Sequence, residues 1–325
     1  MNNTPRVILR WKDTNQIELG HKIYRSDAPM DIQNMPTPIA TLGADITEYT
    51  DEAVIEGNFY YYRVSAYTIN GEEFSNEVYA EALLPLGPGP STLIAGDMTA
   101  GFFGEVPTSE LITGDDLAAQ LGITQGTSQF SNEPWLKFAL DDNIVYVAKK
   151  PYRHTVSWEN IYQAGAVYGT DDNGLYPSGG NRLQDANISV DGFSLDVTLL
   201  RGTNTDPAIF TSAGFDMDYT HTSEWNRLMY PIHSGVHTDS GNPTVGSVPY
   251  AQWATYSDSD LDVGYASDSG TATWVQETQH TNDTKRFTRG SGGVTNAFRI
   301  ITASAYSGTG WRPALRLKFD SLIIY

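Results

Sequence analysis

The stretch HSGVH sets His233 and His237 four residues apart, with His221 upstream. On a helix, that spacing puts two imidazoles on one face, where they can hold zinc beside a general-base glutamate. Here Pro231 and Gly235 oppose a helix, and no glutamate adjoins the first histidine. All three are therefore expected to be loop histidines, with no metal assigned to them. The run SDSDLDVG places Asp258, Asp260 and Asp262 at alternate positions. Alternating carboxylates can converge on calcium, but the common calcium loop wants glycine sixth and glutamate twelfth. Counted from Asp258, Gly264 is seventh and Ser269 is twelfth, so a solvated acidic loop is expected instead.

Glycan hydrolysis would need two carboxyl groups roughly 5–10 Å apart. Asp141-Asp142 and Asp171-Asp172 both sit in turn-like sequence. There is no Gly-x-Ser-x-Gly elbow, phosphate loop or dinucleotide fingerprint. With no cysteine in the chain, disulfides, thiolate metal sites and cysteine nucleophiles are excluded. The protein is expected to be no enzyme and to carry no cofactor.

Aromatic residues point elsewhere. Tyr250, Trp253, Tyr256, Tyr265, Phe298 and Tyr306 stand among Gly, Ser, Asn and Asp. Rigid aromatics interleaved with adaptable polar residues are the composition of binding loops. Tyr250, Trp253, Tyr256, Asn296, Phe298, Tyr306 and Ser307 are the candidate contact residues. In RGSGGVTNAFRIITASAYSGTGWRP, Arg289-Gly290 opens what reads as an irregular loop, and Gly310-Trp311-Arg312-Pro313 closes it. Arg289, Gly290, Gly310, Trp311 and Arg312 would be its scaffold. Trp135, Trp158, Trp225, Trp274 and Trp311 lie in regular elements and are expected in cores.

The elements that must position these residues fall on two sides of LLPLGPGPST, residues 83–92, whose prolines and glycines continue neither helix nor ladder. Residues 1–85 form one domain, 86–92 a linker, and 93–325 a second domain with an extension at 93–130. In the first part, RVILRW, HKIYRS, TEYTD and FYYYRVSAY are short strands, and Asn70-Gly71 opens a hairpin. Tyr60, Tyr62, Val64 and Ala66 alternate with Tyr61, Arg63, Ser65 and Tyr67, as in a sandwich strand. Further on, TGDDLAAQLG is a helix capped by Thr113, and SWENIYQAGAVYG one capped by Ser157. TSEWNRLMYPI is a third, stopped by Pro231. WLKFALDDNIVYVAKKP is a hairpin turned at Asp141-Asp142-Asn143, FSLDVTLLRG is a strand, and TATWVQET, KRFTRG and GWRPALRLKF finish the chain. The flanks AGDMTAGFFGEV and TQGTSQFSNEP read as loops or edge strands.

Composition bounds the rest. A length of 325 residues, 40% of them hydrophobic, suits about two domains with real cores. The excess of 39 acidic over 20 basic side chains gives a net charge of −19, which disfavours nucleic acid and favours solubility. MNNTPRVILRW lacks a signal pattern and no stretch approaches a membrane span, so membrane insertion is not expected.

Trp11, KIYRS, TEYTD, YYYRVSAY and SNEV together resemble a fibronectin type III domain, across the whole first part. That resemblance implies an all-β sandwich with Trp11 in its core, used as a spacer or adaptor. SEW at 223–225, RFTRGS at 286–291 and GWRPALRL at 310–317 resemble the C-type-lectin fold. Within that fold, the end resembles the formylglycine-generating-enzyme branch and the phage receptor-binding variable proteins of that branch. It implies an α+β domain in which a variable loop follows an Arg-Gly pair. Two departures limit what carries over. The copper chemistry of that enzyme family needs a cysteine pair. The calcium-dependent lectins need Glu-Pro-Asn or Gln-Pro-Asp with Trp-Asn-Asp, and none of these occurs. Residues 135–169 also resemble a block of bacteriophage tail and virion proteins. The resemblances together imply a virion structural protein made in the host cytoplasm. It would be a homo-oligomer, with a trimer allowed, touching other virion proteins and a host cell-surface glycan or protein. The alternatives they leave are a capsid decoration or baseplate part without receptor binding, and a glycan-cleaving tailspike.

Overall fold

The computed structural model describes residues 5–12, 19–82, 86–175, 182–191, 193–203, 206, 223–237, 250–264, 270–279, 282–301, 305, 307–318 and 322–324. His221, Tyr265, Ser269 and Tyr306 lie outside them. Strand outweighs helix by 43% to 11%. The chain divides into two compact units, Met1–Gly87 with Phe319–Tyr325, and Pro88–Lys318.

In the first unit, Val7–Trp11 pairs with Glu48–Asp51 and Gly20–Ser26 pairs with Phe59–Thr68, both antiparallel. They belong to separate sheets. Val7, Leu9 and Trp11 of one sheet pack with Ile23, Tyr60, Tyr62 and Val64 of the other in a single core. The alternation in Phe59–Thr68 sends Tyr60, Tyr62 and Val64 inward, while Phe59 stays exposed, as a period of two requires. Asp51 is buried, and accepts from Tyr62 Oη and Arg25 Nη1, each at 2.9 Å.

One strand of this unit comes from the far end of the chain. Leu322–Ile324 pairs in parallel with Leu9–Trp11, although the sequence reading ran the second domain to residue 325. Nothing local marks so distant a partner.

The second unit holds a seven-stranded and a six-stranded sheet. In the first, Trp135–Leu140 is hydrogen-bonded between Ala100–Val106 and Asn143–Ala148. Ala100–Val106 is therefore an inner strand flanked by Ala95–Gly96, so 93–130 is part of the domain rather than an extension to it. Its glycines disguise it: Gly101 and Gly104 leave the hydrophobic pattern short. Asp141 and Asp142 turn the adjacent hairpin with φ of 48° and 63°, the handedness tight hairpins need. Residues 88–90 are no free linker either. Lys137 Nζ donates to Pro88 O at 2.9 Å and Pro90 O at 2.7 Å, and Tyr146 Oη donates to Pro88 O.

Thr113, Ser157 and Ser223 cap Gly114–Leu121, Trp158–Gln163 and Glu224–Ile232 as their types predict. The middle helix ends well before Gly169, and Pro231 sits inside the last turn of the third. Trp225, Leu228, Met229 and Ile232 of that third helix pack with Leu136, Phe138, Val145, Val147 and Val294. Helix and sheet thereby make one core.

The segment after Arg289 is not an irregular loop in its first half. Asn282–Gly290 turns at Ser291-Gly292 into a second strand, Gly293–Ile301. Gly290 makes this possible: its φ is +96°, and a Cβ there would lie 2.6 Å from Thr271 O.

Candidate binding surface

Two buried arginines hold the frame. Arg289 is fully buried; it donates to Gly202 O at 2.7 Å, Asn226 Oδ1 at 2.7 Å and Tyr230 Oη at 2.9 Å. Arg312 is 2% exposed and donates to Ala148 O, Lys149 O and Leu261 O. Burial pushes the Arg312 guanidinium down to about 10, against the pull of Asp262 and Tyr152. Buried cations cost less when backbone and side-chain oxygens replace water. These donors tie together the 224–232 helix, the 143–148 strand and the end of the short 258–261 helix. Trp225 Nε1 adds a bond to Val294 O at 2.8 Å, and Trp311 is fully buried.

On this frame lies a strip from Tyr250 to Tyr256. Its backbone runs beside 231–237: Tyr250 N donates to His237 O at 2.9 Å, Trp253 N to Pro231 O at 2.6 Å and Tyr256 N to Ile232 O at 2.9 Å. Tyr250, Trp253 and Tyr256 are half-buried, each with one side packed on the core. Tyr250 meets Tyr230 edge-on, at 5.2 Å between centroids. Tyr256 Oη donates to Glu105 Oε1 at 2.8 Å, and the Lys149 ammonium sits 4.8 Å from its ring centroid. Between and beyond them, Gln252, Asp258, Ser259 and Asp260 are exposed.

The acidic run next to the strip is not the loop its sequence predicts. Asp258–Leu261 is a short helix begun by a capping box: Ser257 Oγ accepts from Asp260 N, and Asp260 Oδ2 accepts from Ser257 N. The Ser257 hydroxyl donating to Asp260 Oδ2, and then the Ser257 N–H, hold the Asp260 carboxyl below its usual range, while burial raises that of Asp262. Asp258 turns toward the histidines instead. Its Oδ1 is 2.9 Å from His233 Nε2, and His233 Nδ1 is 2.8 Å from His237 Nε2. Burial, and then the neighbouring His233, push the His237 imidazole down to about 4.

Of the predicted contact residues, Tyr250, Trp253 and Tyr256 thus share one surface. Asn296 lies in the neighbouring hairpin and closes its turn, donating from Nδ2 to Gly292 O at 3.0 Å. That turn touches the end of the strip segment, since Gly264 N donates to Gly290 O and Gly292 N to Gly264 O, both at 2.8 Å. Phe298 pairs with Thr288 in the 293–301 strand. Ser307 is exposed on another connection, its carbonyl accepting from Gly270 N. No described contact joins Ser307 to the strip.

Two features escaped sequence reasoning. One is the His233–His237–Asp258 chain, hidden because a turn rather than a helix assembles it. The other is a carboxyl pair. Glu277 is fully buried, accepts from Gly202 N at 3.0 Å, and is pushed up to about 8 by burial. Asp206 accepts from Thr278 N at 3.0 Å, and burial raises its carboxyl too. Ala272 to Thr278 are buried on both faces, so no alternation marks Glu277 in the sequence.

No protein-family model matches the sequence, and no curated protein matches it.

Proposed function

We propose that this chain is a bacteriophage virion component that recognises a host surface glycan or protein. On this proposal the first unit is a fibronectin type III-like spacer. The second is a C-type-lectin-like domain presenting the 250–256 strip, in a homo-oligomer built among other virion proteins. One observation carries the binding half of the proposal. Tyr250, Trp253 and Tyr256 are half-exposed beside polar Gln252, Asp258, Ser259 and Asp260, on a backbone pinned to the core. Rigid aromatic anchors with a polar rim bind at low ordering cost. The virion half rests on the resemblance of residues 135–169 and on the two domain likenesses.

A glycan-cleaving activity fits less well, because the carboxyl pair that could serve it includes Glu277, which is fully buried. The test is host attachment by particles carrying Tyr250→Ala with Trp253→Ala. Reduced attachment at normal assembly is expected. Normal attachment refutes the contact role, and failure to assemble shifts the strip to an architectural contact between virion proteins.

A further inference from the structure

As a helical metal motif the spacing of His233 and His237 fails, because the segment is not helical and no glutamate adjoins His233. The turn through Gly235 brings the rings together by another route. His233 Nδ1 and His237 Nε2 lie 2.8 Å apart, with 4.9 Å between ring centroids. Two nitrogens each about 2.0–2.1 Å from one ion, at roughly 90–110° to each other, stand about 3 Å apart. The pair is therefore close to chelating separation as folded. Gly235 allows the approach: a Cβ there would lie 3.0 Å from His237 Cε1 and 3.1 Å from His233 Nδ1.

Asp258 supplies a second, independent feature. Its Oδ1, 2.9 Å from His233 Nε2, selects the tautomer with the proton on Nε2 and the lone pair on Nδ1, aimed at His237. A carboxylate on the far nitrogen is how metal-bound imidazoles are usually oriented. We propose that His233 Nδ1 and His237 Nε2 chelate a divalent transition-metal ion such as zinc, with Asp258 as the acceptor that positions His233. Imidazole donors favour zinc, copper or nickel over calcium and magnesium.

Among the described residues, no group of three His, Cys, Asp or Glu forms a metal-binding set. Water, or a donor on a bound partner, completes the coordination. In the free chain His237 Nε2–H donates to His233 Nδ1. On metal binding that proton leaves Nε2 and a proton is taken up at Nδ1 of the same ring, so both imidazoles stay neutral. The Gly235 N–H, 3.0 Å from His233 Nδ1, turns aside. The site adjoins the aromatic strip without depending on its role, because uptake is measured on the free chain.

The experiment is calorimetric titration of the chelator-stripped full chain with Zn²⁺ at neutral pH. One equivalent should bind. His233→Ala and His237→Ala should each weaken binding at least about ten-fold, and Asp258→Asn roughly ten- to a hundred-fold, while His154→Ala should change nothing. No uptake by the parent chain, or uptake by both histidine variants equal to the parent's, overturns the site. Asp258→Asn binding like the parent overturns the positioning role. If a histidine variant unfolds, spin resonance of Cu²⁺ on the parent decides: coupling to two nitrogens supports the chelate and its absence refutes it.

Discussion

Glu277 keeps a proton that an ordinary glutamate would have lost. It is fully buried and burial pushes it up to about 8, from a usual value of 4.5. The consequence for stability has a definite sign. Below about 4.5 the carboxyl is protonated folded and unfolded, so it costs nothing. Between 4.5 and 8 the unfolded chain ionises while the folded chain does not, and stability falls across that window before levelling. Glu277→Gln keeps the shape and can still accept from Gly202 N. The variant should therefore melt near the parent at pH 4.5 and roughly 5 °C or more above it at pH 8. A difference in melting temperature that stays flat with pH would show that Glu277 titrates normally. Lys137 is the opposite case, a fully buried cation pushed down to about 7 by burial. Its two proline carbonyls, and the faces of Phe103 and Tyr146 at 5.1 Å and 5.8 Å, replace much of its hydration.

Elements with a strong local signal were legible in the sequence. Thr113 and Ser157 announced helix starts because a side-chain oxygen accepting from the first turn is a local event. Phe59–Thr68 announced itself by alternation. Gly293–Ile301 did not, since its register shifts beside Gly290 and the glycines at 290, 292 and 293, with Asn296, read as loop. The candidate surface divides the same way. The aromatic composition of 250–256 was visible, but its pairing to 231–237 and the meeting of His233, His237 and Asp258 depend on tertiary contacts. At the closing end of the segment, Gly310 bears most on the frame. A Cβ there would lie 2.2 Å from Gly270 O, a main-chain atom that cannot swing aside. Gly310→Ala should cost about 1–3 kcal/mol, as overpacking does, read as a lower denaturation midpoint at unchanged slope. A midpoint equal to the parent's would mean that the Gly270 backbone yields freely.

At the scale of the whole molecule, the chain returns to where it began. The 7–11 strand pairs with Glu48–Asp51 on one side and Leu322–Ile324 on the other. Without residues 319–325 that sheet keeps two strands among the described residues, and two-stranded sheets are marginal. Trp11, 8% exposed and inside the core, depends on that sheet staying in place. The two units should melt as separable transitions, each with its own core. A chain ending at Lys318 should lower the transition of the first unit and leave that of the second unchanged. Trp11→Ala should lower the same transition, by about 3–5 kcal/mol in stability, as removal of a large core aromatic does. The assignment of transitions comes from amide exchange: Leu9 and Tyr62 report one unit, Val145 and Leu315 the other. If the shortened chain keeps both transitions, the parallel strand contributes nothing. If it loses both together, the units fold as one cooperative body and the division at residues 87 and 88 has no thermodynamic meaning.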